Sequence, residues 1–164
     1  MTRLRIARSL LKRVRNDLRR SHEFAHERVG YLFVRGSEDL LVAFDYLPLH
    51  DHEYEVQGDV GAQFSSMAIA RAMLASRALG CGALHIHEHG HGGRPGFSFV
   101  DLASLQELTP AFFGVSSGPH GGVVLSHDHA IGLVWTRPGG SAQHIHEITE
   151  VGMPLSVWRN DEHA

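Results

Sequence analysis

Residues 83–101 run from the apolar stretch Ala83-Leu84-His85-Ile86 through His87-Glu88-His89 into a glycine-rich loop, and then to Ser98-Phe99-Val100-Asp101. This order calls for a strand, a tight loop and a helix start in immediate succession, and it constrains the chain more than any other stretch. Side chains two apart on a strand point to the same side, so His87 and His89 can converge on one ion. Asp101, three residues after Ser98, falls in the first turn of the helix that Ser98 is suited to cap. Two imidazoles and one carboxylate leave the fourth corner of a tetrahedral zinc open to water, the arrangement of a reactive rather than a structural site. Far upstream, Glu27 stands at the mouth of an apolar run over residues 29–33 and is placed to move a proton.

Composition limits the alternatives. The chain has 164 residues, 43% hydrophobic and 20% charged, which suits one globular domain over residues 1–164 with a sizeable core. No apolar run approaches the roughly 20 residues of a membrane span. The N-terminus, Met1-Thr2-Arg3-Leu4-Arg5, carries no hydrophobic signal core, and Cys81 is the single cysteine. A cytoplasmic location is therefore expected, and any metal must be held by His and carboxylate. Arg3, Arg5, Arg8, Lys12, Arg13, Arg15, Arg19 and Arg20 crowd the first twenty positions, although the net charge is −3. A basic helix of this kind is ordinarily a solvated face; an acidic partner is a second use, and nucleic-acid binding rests on charge alone. Leu10, Leu11, Val14 and Leu18 give its other face an apolar stripe that would dock on the core.

The spacing predicts a short strand at residues 4–7 and a helix from an N-cap at Ser9 to about Arg20. Strands follow at 29–34, 40–46 and 53–56. A helix over 63–79 would turn Met67, Ile69, Ala70, Met73 and Leu74 inward and end at Gly80. The motif strand covers 82–89 and a helix covers 98–108. Strand-like segments occupy 122–125, 131–136 and parts of 143–158. The expected fold class is α/β, a mixed and largely antiparallel sheet flanked by helices.

His-x-His is a weak signal in a chain with 14 histidines. His50/His52, His85/His87, His89/His91, His127/His129 and His144/His146 share the spacing. Only 87/89 combines a preceding apolar strand, a glycine loop and Ser-x-x-Asp opening a helix. Glu27-Arg28-Val29-Gly30-Tyr31-Leu32, then His87-x-His89, eight residues, and Ser98-x-x-Asp101 together resemble the JAMM (MPN) metallopeptidases over residues 4–136. The eight-residue interval is one longer than that family's commonest, and Gly90 stands where a proline usually follows the second His. His85 and His91 remain the nearest competitors for the ligand positions.

The resemblance implies an MPN (cytidine deaminase-like) fold and a zinc ion held by His87, His89 and Asp101. Glu27 would take a proton from water and hand it to the leaving amine, and Ser98 would donate a hydrogen bond to the oxyanion. Glu88, on the opposite side of the strand, would pair with a nearby cation. The resemblance further implies a bacterial deubiquitinase-like isopeptidase that cleaves after the C-terminal glycine of a ubiquitin-like protein. It would deconjugate a target or mature a precursor beside the activating and conjugating enzymes of the same operon, in a conjugation or antiphage defence system. Two alternatives are a JAMM protease acting on a sulfur-carrier adduct and a non-catalytic MPN scaffold. A cupin or metallo-β-lactamase pattern does not fit, because the further His and acidic ligands those patterns require are misplaced or missing.

Overall fold

The computed structural model describes residues 1–21, 27–55 and 62–160. Burial separates its strands into two kinds. In β1 (Thr2–Ala7), Thr2, Leu4 and Ile6 are buried while Arg3, Arg5 and Ala7 are exposed, the signature of a strand covered on one side only. β2 (Val29–Gly36), β4 (Gly82–Glu88) and β5 (His120–Leu125) are instead buried along most of their length. On their inner side Leu32, Leu84, Ile86, Val123 and Leu125 join Leu4, Ile6 and the apolar stripe of helix α1 (Arg8–Leu18) in one core. On their outer side Val29, Tyr31, Phe33 and Ala83 form a second core with Ala68 and Ala72 of α2 (Ser66–Leu79) and Phe112 of α3 (Phe99–Phe113).

The remaining strands are β3 (Leu40–Pro48), β6 (Ala130–Trp135), β7 (Gln143–Val151) and β8 (Ser156–Arg159). The hydrogen-bonded order β1-β3-β2-β4-β5-β6-β7 returns to β1, which closes a seven-stranded barrel, and β8 adds beside β7. β1 is parallel to both its neighbours and β4 is parallel to β5; the other pairs are antiparallel. This overturns the expected architecture. In place of an MPN-type α/β sheet flanked by helices, the described residues form a closed mixed barrel with three short helices. The closure is made by β1, which sets Thr2 opposite Ile145 near the other end of the chain. Local periodicity marks strands, but it carries no information about a ring closed between distant segments.

Local expectations shift in informative ways. α1 begins at Arg8 after Ala7, not after Ser9, and ends at Leu18; its buried residues are Leu10, Leu11, Val14 and Leu18. α2 is capped by Ser65, whose side chain accepts the Ala68 N–H, and it ends at Gly80 in the left-handed region at φ 57°, as a terminal glycine permits. Its buried residues are Ala68, Ala72 and Ser76, while Met67 and Leu74 are exposed. Ile69 and Met73 pack on the second core as expected, but small side chains let the helix lie close on the outer face of the barrel, so the inner face is turned from Met67 and Leu74 towards Ala68 and Ala72. The segment expected as a strand at 53–56 holds a 3-10 turn at Asp51–Glu53 and a single bridge between Tyr54 and Phe64; residue 56 lies outside the described residues. No described helix is long and apolar enough to cross a membrane.

Candidate metal centre

β4 carries the site because alternate residues face opposite layers. Leu84, Ile86 and Glu88 turn to the inner side; Ala83, His85 and His87 turn to the outer side, where α2 and α3 pack. The antiparallel register with β2 sets Val29 opposite His87. Extended by two residues, that register places Glu27 across from His89, and Glu27 Oε1 lies 3.8 Å from His89 Nε2. The His89 N–H donates to the Leu125 carbonyl at 2.8 Å, which continues the ladder with β5 past the last residue of β4. Gly30 sits two residues into β2 because the ring of Tyr46 occupies the space a Cβ would need. The Tyr46 hydroxyl in turn donates to Asp17 Oδ2 at 2.7 Å, tying β3 to α1 across that glycine.

The second half of the site comes from the start of α3. Ser98 is its N-cap: Ser98 Oγ accepts the Asp101 N–H at 3.1 Å, and Asp101 Oδ2 accepts the Ser98 N–H at 2.7 Å. This reciprocal pair satisfies two backbone donors at the helix end and fixes the carboxylate, with Oδ2 3.7 Å from His87 Nε2. The Ser98 hydroxyl uses only its acceptor capacity in the cap, so its proton remains available to donate. α3 comes close to the barrel because β5 offers Gly122, where a Cβ would stand 2.9 Å from Leu105 Cδ1.

His87 Nε2 and His89 Nε2 are 3.3 Å apart. Four ligands at the usual zinc–nitrogen length of about 2.0–2.1 Å stand about 3.3 Å from one another at the corners of a tetrahedron. Two imidazole nitrogens facing each other at this distance need a proton or a cation between them, and carboxylates lie on both flanks. Burial holds His87 down to about 4, against attraction from Asp101, so its ring is neutral at neutral pH as ligation requires. The donor atoms of Glu27, His87 and His89 all lie within 4.8 Å of one another. Asp101 stands outside that mutual group and approaches through His87. The residues present fit a zinc ion.

All five residues singled out in the sequence, Glu27, His87, His89, Ser98 and Asp101, line one cleft of about 400 Å³. The rest of its wall is largely apolar, with Val29, Phe64, Leu105 and Leu108, as is usual for ligand pockets of this size. The competitors make other contacts, although His85 lines the same cleft. His85 stacks on Phe64 with ring centroids 5.7 Å apart and does not join the Nε2 pair. His91 Nδ1 lies 2.9 Å from its neighbour's Gly92 carbonyl. His50 and His52 stack on each other, and His144 and His146 lie on β7. Phe64 and Leu108 were not legible as wall residues, since only the packing of α3 and of the Tyr54–Phe64 bridge brings them there.

Behind the site, Glu88 is enclosed by α1. Arg19 donates to it through Nε at 2.9 Å and Nη2 at 2.6 Å, and Arg15 Nη1 donates to Oε1. Arg15 also donates to the Ser126 carbonyl at 2.7 Å. Arg13 pairs with Asp45, Arg20 with Asp17 and Arg8 with Glu150. Much of the basic helix is thus committed to ion pairs within the chain. No family model matches the sequence, and no curated protein matches it.

Proposed function

We propose that this chain is a zinc-dependent peptidase whose catalytic set is of the JAMM type, carried on a closed barrel. The observation that carries the reading is the meeting of His87 Nε2 and His89 Nε2 at 3.3 Å, with Asp101 and Glu27 at 3.7 and 3.8 Å, in the cleft that Ser98 also lines. His87, His89 and Asp101 would hold the metal. When bound, zinc supplies a Lewis acid that makes water a competent nucleophile near neutral pH. Glu27 accepts the proton of the attacking water and delivers it to the departing amine nitrogen, acting first as base and then as acid. The Ser98 hydroxyl donates to the oxygen that gains negative charge as the carbonyl becomes tetrahedral. The apolar wall of Val29, Phe64, Leu105 and Leu108 limits water around the reacting groups, which strengthens both interactions.

The substrate is a peptide or isopeptide bond that follows the C-terminal glycine of a ubiquitin-like protein, cleaved in the cytoplasm to free a conjugate or mature a precursor. Support for this finer reading is the ordered set Glu27, His87-x-His89 and Ser98-x-x-Asp101; activating and conjugating enzymes of the same operon are its implied partners. The test is a panel of ubiquitin-like proteins, each joined through its terminal glycine to a reporter. Cleavage at that glycine, stopped by a chelator and restored by zinc, is the expected result. A zinc-loaded protein that leaves the whole panel intact, yet cleaves unrelated peptides, would remove the ubiquitin-like substrate and keep the peptidase.

A further inference from the structure

Three buried polar atoms without a hydrogen-bond partner among the described residues lie on neighbouring residues: Tyr31 Oη, His85 Nε2 and His87 Nδ1. Buried polar atoms are rarely left unsatisfied, because each has given up its hydrogen bonds to water. Three on adjacent residues point to one shared cause. His85 and His87 are two apart on β4 and face the same layer, with ring centroids 5.6 Å apart. Tyr31 lies directly across the ladder from His85, edge-on to it at 5.7 Å. The direction of the His87 ring follows from the site. The two nitrogens of an imidazole lie on opposite sides of Cε1, so a ring whose Nε2 faces His89 turns Nδ1 back along the strand, the side on which His85 lies.

We propose that His85 is a positioning residue for the metal centre, joined to His87 by an enclosed water that accepts from His87 Nδ1–H and donates to His85 Nε2. Tyr31 is that water's third partner, which gives it the number of hydrogen bonds a buried water usually makes. This inference rests on the assignment of His87 as a ligand. A ligating histidine normally passes its other N–H to an acceptor that fixes its tautomer and orientation, and loss of that acceptor weakens metal binding about 10–100-fold. No carboxylate or carbonyl reaches His87 Nδ1 among the described residues, and His85 supplies the acceptor instead. His85 does not ligate the metal; it acts through His87.

The experiment measures zinc affinity by competition with a chromophoric chelator for the wild type, His85→Phe and His85→Gln, with thermal melts of the metal-free proteins as a folding control. Phe keeps the stacking on Phe64 but offers no acceptor, whereas Gln keeps a polar atom at similar reach. The expected result is about 10–100-fold weaker zinc binding for H85F, recovery of most of that loss by H85Q, and cooperative melting in both. Wild-type affinity in H85F would overturn the inference while leaving the metal centre intact. Equal weakening in both variants would also overturn it, because it would mean that packing alone is at work. A wild type that takes up no zinc would instead remove the proposed function on which the inference stands.

Discussion

Glu27→Gln is expected to keep its zinc and to lose about 10²–10⁴-fold in the rate of hydrolysis, the range for removal of a positioned acid–base group. The amide has the size of the carboxylate and can still hydrogen-bond, but it cannot take a proton from water and return it to an amine. Glu27 is suited to that task by its place just outside the β2–β4 ladder, where the register brings it to His89. The geometry also allows another role, since Glu27, rather than Asp101, completes the mutually closest group of donor atoms with the two histidines. Single-turnover rates measured together with metal content separate the two. Lost activity with zinc retained assigns Glu27 to proton transfer. Lost zinc would make it a ligand and release Asp101 from that position.

Glu88→Ala is expected to cost about 3–5 kcal/mol of unfolding free energy, the range for removing one partner of a buried ion pair. The Glu88 side chain is 4% exposed and that of Arg15 is 14% exposed, whereas Arg19 is half exposed. With the carboxylate gone, Arg19 can turn to water but Arg15 is held inside without its counter-charge. Desolvation already lowers the Arg15 pKa against the pull of Glu88, so the guanidinium depends on that carboxylate. Urea denaturation reads the difference directly. A double variant, Arg15→Met with Glu88→Leu, is expected to recover most of the loss, because a buried pair exchanged for apolar groups of similar volume is often close to neutral. A loss below about 1 kcal/mol in Glu88→Ala would place this pair among ordinary surface salt bridges.

The candidate site was more legible in the sequence than the barrel was. Alternation along β4 separates His87 from Glu88, and the Ser98-x-x-Asp101 spacing is a capping box before it is anything else; both are rules that act within a few residues. Charge alone makes the arginines of α1 a solvated face, because nothing local shows that Glu88 lies beneath Arg15 and Arg19. The inner face of α2 is hidden for a related reason: its contact residues Ala68 and Ala72 are small, whereas hydrophobic periodicity gives most weight to large side chains such as Met67 and Leu74. The closed ring was beyond reach altogether, since it depends on pairing β1 with β7, two segments from opposite ends of the chain.

A metal held by His87, His89 and Asp101 is read out by the metal content per chain. Elemental analysis after gentle dialysis is made on the wild type and on His87→Ala/His89→Ala, with circular dichroism to confirm that both are folded. About one zinc per chain is expected in the wild type and none in the double variant, the stoichiometry of a single mononuclear site. A folded double variant that kept its zinc would place the ion on another of the histidine pairs. A folded wild type that neither carried zinc nor took it up when supplied would mean that these residues do not form a zinc site.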